Sequence, residues 1–414
     1  MISADDALKL VLSSVTAVGV ERLTIRQAVG RVLAEPICSL RDIPAFDNSA
    51  MDGFAVRAED TFGATQSNPV RLKIIETIGA GHVPQQRVSR GLAAKIMTGA
   101  PLPEGADAVI PVEQTKSTDD TVEVFAPVTA GYCVRRRGED LRAGEQVLTF
   151  GRRLRAADIG LLASLGRAVI DVYRRPRVAI VCTGDELVDV DQQPVGAQIV
   201  NSNAYSLAAA IEESGAEAFV LPVARDDKAE MRARFKEALQ NDALVTTGGV
   251  SVGQFDHVKE VLSELGMQEL FHGVAQRPGK PLMFGLVEGR PVFGLPGNPV
   301  STLVCFELYV RPALKKMAGL VNSAIPRAKA VCAVDIKTAR GLTEFIRVKL
   351  ERRAETLYAS PSGEQGSAIL STMSRADALL VGPADKTLLP AGSYADVLLL
   401  ASDAIVDWAS SFET

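Results

Sequence analysis

The chain has 414 residues, of which 47% are hydrophobic and 23% are charged, and its formal net charge is -5. This composition is typical of a packed globular protein with more than one domain, and it argues against a largely disordered chain. A mildly acidic chain with one Trp and six Tyr also lacks the positive charge and aromatic surface that nucleic-acid binding requires.

The N-terminal part of the chain predicts two interleaved domains. Residues 3–18 have helical spacing, with Ser3 as the candidate N-cap and Asp6 three residues later. From residue 45 to residue 144, short β-type runs separated by Gly and Pro predict a small β domain. We therefore expect one small N-terminal domain, residues 1–44 and 145–175, that is interrupted by an inserted β domain.

The region 176–325 alternates buried strand patterns with helices. Asp227 is a candidate N-cap, Gly215 a candidate αL cap, and Pro299 a candidate first residue of a long helix. Such alternation predicts a central α/β domain with a parallel sheet that is covered on both faces. The remaining residues, 326–414, have the pattern of strands, so we expect a C-terminal β domain resembling a barrel or a sandwich.

Acidic residues follow three consecutive predicted strands of the α/β domain. Asp185 and Glu186 follow the first strand, Asp226 and Asp227 the second, and Asp256 the third. Ligands of an open α/β sheet bind outside the carboxyl ends of its strands, so these acids should share one edge. Mg²⁺ would offset their repulsion and bind phosphate oxygens as well. For Asp227 and Asp256, helix capping is the alternative, and it stays open.

Two glycine-rich segments occur in the same domain, GGVSVG at 248–253 and LPGNP at 295–299. Each could be a plain tight turn. Together, beside the acids and before a helix N-terminus, their backbone N–H groups favour binding of an anion. The candidate residues are Thr183, Gly184 and Asp185 at the first strand end, and Gly248, Gly249, Ser251, Gly253, Gly297 and Asn298 in the two segments.

Two further segments carry charged or polar side chains in turns. RPGKP at 277–281 is a stiffened loop with two cations, Arg277 and Lys280, which could hold a phosphate or another oxyanion. A solvated surface loop is the alternative. DNSAMDG at 47–53 is dense in polar groups, although a plain Asx turn would account for it as well.

The cysteines and the hydropathy predict the cellular setting. The five cysteines show no CxxC spacing, which argues against a zinc site or a redox dithiol and suits a reducing compartment. The N-terminus lacks the pattern of a signal peptide, and no apolar run reaches the about 18 residues of a membrane span. We therefore expect a cytoplasmic protein that binds neither membranes nor nucleic acid.

Seven motifs occur in a fixed order: PAFDNSAMDGFAV, KIMTGAPLPEGADAVIPVE, RRRGED, TGDEL, TTGGVSVG, RPGKP and LPGNPVS. Together they resemble the molybdopterin molybdenumtransferase family of the MoeA type, which includes the E domain of gephyrin. The resemblance extends from near residue 1 to near residue 400. It implies an elongated N-terminal region with a β insert, an α/β domain and a C-terminal β domain.

The resemblance also implies a reaction. Adenylylated molybdopterin and molybdate would be the substrates, and molybdenum cofactor and AMP the products, with Mg²⁺ as the metal. Family members are dimers, with the site between the α/β domain of one subunit and the N-terminal part of the other, and transient contact with other molybdopterin-handling proteins is expected.

The resemblance assigns roles to individual residues. Catalytic roles fall on Asp52, Thr98, Asp140, Glu186, Asp226, Asp256 and Lys280. The expected metal ligands are Glu186, Asp226 and Asp256. Further substrate-binding residues are Arg277, Pro296, Pro299, Arg347 and Ser371.

This sequence departs from the family pattern at two positions. Gln254 stands where the family often has an acid, and Arg277 replaces the first Lys of KPGKP. Arg keeps the charge but is a planar fork rather than a point charge, so the anion geometry would differ.

Two other functions are compatible with parts of the sequence. A molybdopterin adenylyltransferase resembles residues 176–320 but needs none of the remaining regions. A non-catalytic scaffold, a role that gephyrin also has, need not keep the charged residues together. Their joint presence favours the transferase.

Overall fold

The structure is a computed structural model that describes residues 1–249 and 257–400. These residues form two compact units. The larger unit comprises residues 1–35, 151–159 and the chain from residue 169 onward, and the smaller unit comprises residues 36–150 and 160–168. The four domain boundaries expected from the sequence stay a prediction.

The first strands in chain order are β1 (Val20–Thr24), β2 (Ile37–Cys38), β3 (Asn48–Ser49), β4 (Gly53–Val56), β5 (Val70–Ile78), β6 (Leu92–Ile96), β7 (Ala108–Pro111), β8 (Thr115–Ser117), β9 (Thr121–Val124), β10 (Val134–Arg135), β11 (Gln146–Leu148) and β12 (Val169–Tyr173). The next are β13 (Arg177–Cys182), β14 (Leu187–Val188), β15 (Ile199–Val200), β16 (Glu217–Val220), β17 (Ala243–Thr247), β18 (Gln268–His272), β19 (Gln276–Arg277), β20 (Met283–Val287) and β21 (Arg290–Leu295). The last are β22 (Arg327–Cys332), β23 (Ile336–Lys337), β24 (Thr343–Arg353), β25 (Thr356–Pro361), β26 (Ala378–Gly382), β27 (Leu388–Leu389) and β28 (Tyr394–Leu399).

The helices are α1 (Ala4–Ser14), α2 (Ala156–Ser164), α3 (Ser202–Glu213), α4 (Lys228–Ala238), α5 (Val258–Glu264), α6 (Pro299–Cys305), α7 (Arg311–Met317) and α8 (Leu370–Ser374). A π-helical segment, Phe306–Val310, connects α6 to α7. Short 3₁₀ turns are formed by Ile25–Gln27, Ala58–Thr61 and Val112–Gln114. Within the described residues, no helix is long and apolar enough to cross a membrane.

The smaller unit contains a six-stranded sheet in the order β7-β4-β6-β5-β9-β8. Its pairs are antiparallel except for β5 and β6. In β9, Val122 and Val124 are buried while the intervening positions are less so, which is the period of two expected for a half-buried strand. The β insert predicted from the sequence is therefore a sheet with its own apolar core.

The larger unit contains the α/β sheet, in the order β16-β13-β17-β21-β20-β18. The first four strands are parallel, and β17 is buried at every position, as expected where both faces are covered. The predicted α/β fold is confirmed. The sequence did not predict β20 and β18, which extend one edge antiparallel. Glu288 and Gly289, both with positive φ, form the two-residue turn that joins β20 to β21.

The starts of three helices match the sequence analysis. The Asp6 N–H donates to the Ser3 hydroxyl over 3.1 Å, which caps α1. Asp227 accepts from the N–H of Ala229 over 3.0 Å and caps α4, so its side chain has a structural role. Pro299 is the first residue of α6, where a missing N–H has no consequence.

The C-terminal part of the larger unit is a closed barrel of five strands. The order is β24-β25-β22-β28-β26, and β26 pairs again with β24. This confirms the predicted barrel-like domain. Strand β19 adds to the outside of β24, with Arg277 opposite Glu344. The cationic loop RPGKP is therefore attached directly to the barrel.

One glycine offers a test of the packing. Gly319 follows α7 with a φ of +84°, and a Cβ there would lie 2.0 Å from the Tyr173 ring. Gly341 has nearly the same φ, +88°, but nothing within 4 Å. Gly341→Ala should lower the free energy of unfolding by about 1–2 kcal/mol, the cost of the left-handed backbone conformation alone. Gly319→Ala should lower the free energy of unfolding by a further about 1–3 kcal/mol, because the Tyr173 ring must shift. Thermal unfolding of both variants measures the difference, and equal melting temperatures would contradict the predicted contact.

Candidate active site

The residues after β13 form the first part of the candidate site. Thr183 pairs in parallel with Ala224, and the Gly184 N–H donates to the Ala224 carbonyl oxygen over 3.1 Å. Gly184 has a φ of +144°, and a Cβ there would lie 2.5 Å from Oε2 of Glu186. Glycine at this position therefore allows the Glu186 carboxylate to fold back over the turn.

Three of the predicted acidic residues lie at this edge of the sheet. Oδ1 of Asp185 accepts a hydrogen bond from the N–H of Asp226 over 3.2 Å. Burial raises the pKa of the Asp226 carboxyl above its ordinary value of 3.8, and the negative charges of Asp185 and Glu186 raise it further. The structure thus brings Asp185, Glu186 and Asp226 within electrostatic reach of one another.

The chemistry of these acids can be compared with the needs of Mg²⁺. Within the described chain, no group of three or more His, Cys, Asp or Glu side chains is arranged to hold a metal ion by itself. Mg²⁺ needs no such cage, since it keeps several waters and binds one or two carboxylates together with substrate phosphates. The pKa of Asp226 is raised by burial and by repulsion from two neighbouring acids, and a cation would offset that repulsion. Glu186 and Asp226 therefore fit an ion that binds together with a phosphate ligand.

Residues 250–256 are not among the described residues. Three predicted site residues, Ser251, Gly253 and Asp256, lie there, as does the departure at Gln254. Their roles stay predictions.

A cavity of about 600 Å³ opens at the same edge of the sheet. Six of the predicted residues line it, namely Thr183, Glu186, Gly248, Gly297, Asn298 and Pro299. A position outside the carboxyl ends of parallel strands is where open α/β sheets bind their ligands.

The two glycine-rich segments meet at this cavity. Gly248 has a φ of +90°, and a Cβ there would lie 2.5 Å from the Thr183 carbonyl oxygen. A Cβ on Gly297 would lie 3.6 Å from the Gly248 Cα. The Pro296 carbonyl oxygen accepts from the Thr247 hydroxyl over 2.9 Å, which ties the second segment to the end of β17. Gly249, with a φ of +60°, continues the turn beside Gly248.

Sequence reasoning missed Asn203, in the first turn of α3. Its Nδ2 donates to Oγ1 of Thr247 over 3.1 Å and to the Gly297 carbonyl oxygen over 2.8 Å. Its Oδ1 is buried and has no hydrogen-bond partner among the described residues, and the same is true of Oγ1 of Thr183. Both residues line the cavity. The signal in the sequence was an Asn inside a predicted helix, where this residue type is unfavourable without a specific partner.

The predicted cations of the RPGKP loop have different surroundings. Nη1 of Arg277 lies 3.2 Å from Oε1 of Glu344, whose side chain is buried. Lys280 is exposed and forms no ion pair with a described acidic residue, while its carbonyl oxygen accepts from the Val274 N–H. Glu344 therefore partly neutralises Arg277, and Lys280 keeps its full charge.

Arg347 lies inside the barrel wall and is 1% exposed. Its guanidinium donates to the carbonyl oxygens of Gly366 over 3.0 Å and Glu364 over 2.9 Å, while Nε has no partner in the described part of the chain. Burial lowers the pKa of Arg347. A second cavity of about 340 Å³ is lined by both Arg277 and Arg347. Both residues carry a guanidinium, a group suited to binding oxyanions, and the acids Asp335 and Glu344 line the same cavity.

Some predicted residues do not line either cavity. Ser371 is exposed in α8, where its hydroxyl accepts from Arg375 over 3.3 Å. The described residues that line the two cavities do not include Lys280, Asp226 or Ser371.

The smaller unit holds the other three predicted residues. Oδ1 of Asp52 accepts from both the N–H and the hydroxyl of Thr98, each over 2.7 Å. The backbone N–H of Thr98 and then its hydroxyl lower the pKa of Asp52, so this carboxylate is ionised at neutral pH. Asp140 is exposed, and its N–H donates to the Ile43 carbonyl oxygen. The structure therefore joins Asp52 to Thr98 as an ionised, oriented pair.

Three family models match the chain in succession. The MoeA N-terminal region (domain I and II) matches residues 2–166, a probable molybdopterin binding domain matches residues 179–316, and the MoeA C-terminal region (domain IV) matches residues 329–400.

Individual proteins and a solved structure match along nearly the whole chain. A protein of Staphylococcus aureus named molybdopterin molybdenumtransferase is 34% identical over 404 residues, 97% of this chain and 96% of its own length. Molybdopterin molybdenumtransferase 2 of Mycobacterium tuberculosis is 39% identical over 90% of this chain and 93% of its own. The crystal structure of the molybdopterin biosynthesis MoeA protein of Pyrococcus horikoshii superposes with a TM-score of 0.83 at 34% identity, covering 96% of this chain and all of that one. This chain therefore belongs to the MoeA family of molybdopterin molybdenumtransferases.

Proposed function

We propose that this chain inserts molybdenum from molybdate into adenylylated molybdopterin and releases AMP, as a step of molybdenum cofactor biosynthesis. The observation that carries the proposal is the carboxyl edge of the α/β sheet. There, Glu186 and two glycine-rich segments line one cavity, and the pKa of the Asp226 carboxyl is raised by burial and by neighbouring acids. Such an edge needs a cation and offers backbone N–H groups to phosphates.

The phosphate-bearing part of the substrate binds in the cavity of about 600 Å³. The backbone around Gly248 and Gly297 permits close approach of the pyrophosphate. Glu186 and Asp226 would hold Mg²⁺, and a bound ion would supply positive charge to the phosphate oxygens. These side chains and the backbone orient the pyrophosphate, so that catalysis comes from positioning and electrostatics rather than from a side-chain nucleophile.

Molybdate, the second substrate, binds near the cations at the cavity of about 340 Å³. Arg347 supplies a buried guanidinium, and Arg277 can exchange its contact with Glu344 for the oxyanion. Lys280 adds a positive charge from the same loop. Asp52, Thr98 and Asp140 of the smaller unit and Ser371 of α8 complete the set of residues that we assign to this reaction.

We further propose that the enzyme is a cytoplasmic homodimer that uses Mg²⁺ and contacts other molybdopterin-handling proteins transiently. The five free cysteines support a reducing compartment. An adenylyltransferase is not favoured, because the similarity covers the regions before and after the α/β domain as well.

The reaction can be tested directly. AMP release from adenylylated molybdopterin by the purified protein should require both molybdate and Mg²⁺. Asp226→Ala and Asp256→Ala should each lower the rate by about a hundredfold, the scale of a lost electrostatic group at a reacting centre. Asp227→Asn is the matched control, since Asn can also cap α4, and it should keep the wild-type rate. Tight binding of the pterin without any AMP release would exclude this activity.

The raised pKa of Asp226 predicts an effect on stability. The folded state binds the Asp226 proton more tightly than the unfolded state does. The stabilising contribution of this group is therefore fully present below its ordinary pKa of 3.8, and it is lost as pH rises through the raised pKa. At pH 7.5, without Mg²⁺, Asp226→Asn should therefore melt at a higher temperature than the wild type. The difference in melting temperature should vanish near about pH 3.5, because below the ordinary pKa the Asp226 carboxyl is mostly protonated in both states and is then neutral, as Asn is.

Mg²⁺ should raise the melting temperature of the wild type more than that of Asp226→Asn, because the ion offsets the repulsion that the substitution removes. Asp227→Asn should respond to Mg²⁺ as the wild type does. A lower melting temperature for Asp226→Asn at pH 7.5 would show that the carboxylate is stabilising, and that this electrostatic description is wrong.

A further inference from the structure

A buried polar cluster lies beneath the cationic loop, and the proposed function does not use it. It consists of Gln276, Cys305 and Tyr309. Gln276 is fully buried, Cys305 is fully buried and Tyr309 is 1% exposed. Burying a polar side chain is unfavourable unless its hydrogen bonds are made, so the hydrogen bonds of this cluster are needed for the fold to accommodate it.

The amide of Gln276 binds the loop itself. Its Nε2 donates to the Pro278 carbonyl oxygen over 3.1 Å and to the Gly279 carbonyl oxygen over 3.4 Å. Both acceptors are carbonyl groups, so the amide orientation is fixed by chemistry, with Oε1 facing away from them. These two carbonyls stand between Arg277 and Lys280 in the chain. The amide therefore fixes the backbone that separates the two cations.

Tyr309 fixes the other end of the amide. Its hydroxyl donates to Oε1 of Gln276. Burial raises the pKa of the Tyr309 hydroxyl, so it stays protonated and remains a donor. Tyr309 belongs to the π-helical segment Phe306–Val310, and such segments are rare and often occur at functional sites.

Cys305 closes the cluster around Gly279. Its thiol lies 3.6 Å from the Gly279 carbonyl oxygen and 3.5 Å from Nε2 of Gln276. Gly279 has a φ of +92°, and a Cβ there would lie 2.3 Å from Sγ of Cys305. The loop thus follows the surface of the cluster so closely that a side chain at its centre does not fit.

We propose that Gln276 and Tyr309 are positioning residues, which hold the loop so that Arg277 and Lys280 are presented to a tetrahedral oxyanion. The inference rests on the proposed function, in which that oxyanion is molybdate. A purely structural role would require only that the core be filled. The amide instead directs its donors to the loop and to the Cys305 thiol, and among the described residues its hydrogen bonds to backbone groups are all to this loop.

The test uses Tyr309→Phe, which removes one hydroxyl and keeps the ring. Without this donor, Gln276 loses its anchor and the loop gains freedom. We expect KM for molybdate in AMP release to rise about tenfold, equivalent to about 1.4 kcal/mol. KM for adenylylated molybdopterin and kcat at saturating molybdate should stay within about twofold of wild type. The substitution weakens molybdate binding equally in the ground state and the transition state, which changes KM and not kcat. Gln276→Met, which removes the hydrogen bonds of the amide, should raise KM for molybdate further.

Tyr205→Phe is the matched control. It removes a hydroxyl that donates to Oδ1 of Asp189 over 2.5 Å on an exposed face of α3. This variant should leave both KM values unchanged. If Tyr309→Phe lowers the melting temperature but leaves KM for molybdate unchanged, the cluster is structural only and the proposal is wrong. A fall in kcat, or a rise in KM for the pterin substrate, would overturn it as well.

Calorimetric titration with sodium molybdate separates this proposal from the proposed reaction. If the wild type binds molybdate and Tyr309→Phe binds it about tenfold more weakly, the positioning role stands even where no AMP is released, and only the reaction is excluded. Equal affinities in the two proteins would overturn the positioning role. Absence of molybdate binding to the wild type would overturn it too, since the loop would then not be an oxyanion site.

Discussion

Repulsion between carboxylates at the carboxyl edge of the α/β sheet is the constraint on which the site depends. Parallel strands bring Asp185, Glu186 and Asp226 to one edge, where burial and the neighbouring charges together raise the pKa of Asp226. Without a cation the edge is destabilised. Under the proposed function, phosphate and Mg²⁺ bound together would relieve the repulsion, whereas a bare anion would add to it.

The oxyanion side of the molecule has the opposite property, an excess of positive charge. Arg347 is buried, yet its partners are carbonyl oxygens rather than a carboxylate. No described carboxylate offsets the charge of this guanidinium, and an anion in a region of low dielectric would be bound more strongly than in water. Glu344 partly neutralises Arg277 and gives it a resting partner. Under the proposed function, molybdate competes with Glu344 for Arg277 and meets no such competition at Arg347.

The sequence predicted the features that depend on local pattern. The α/β fold followed from alternating elements, and the cap at Asp227 followed from residue type and position. The features that it missed depend on pairs far apart in the chain. Asn203 binds Gly297 across 94 positions, and Arg277 pairs with Glu344 across 67. Local periodicity does not encode such contacts, because an Asn in a helix signals at most that a partner exists and does not identify which distant residue it is.

One helical element of the larger unit extends from the cavity of about 600 Å³ to the cluster beneath the cationic loop. Pro299 starts α6 at the cavity between the glycine-rich segments, and Tyr309 lies ten residues later beneath the cationic loop. Because residues of α6 and its π-helical extension belong to the close-packed core, packing fixes the position of Tyr309 relative to the start of α6. Under the proposed function, this element sets the separation between the pyrophosphate that is cleaved and the molybdate that is inserted. The Gln276 cluster then fixes the cationic loop near Tyr309, and Asn203 fixes the Gly297 segment near the start of α6.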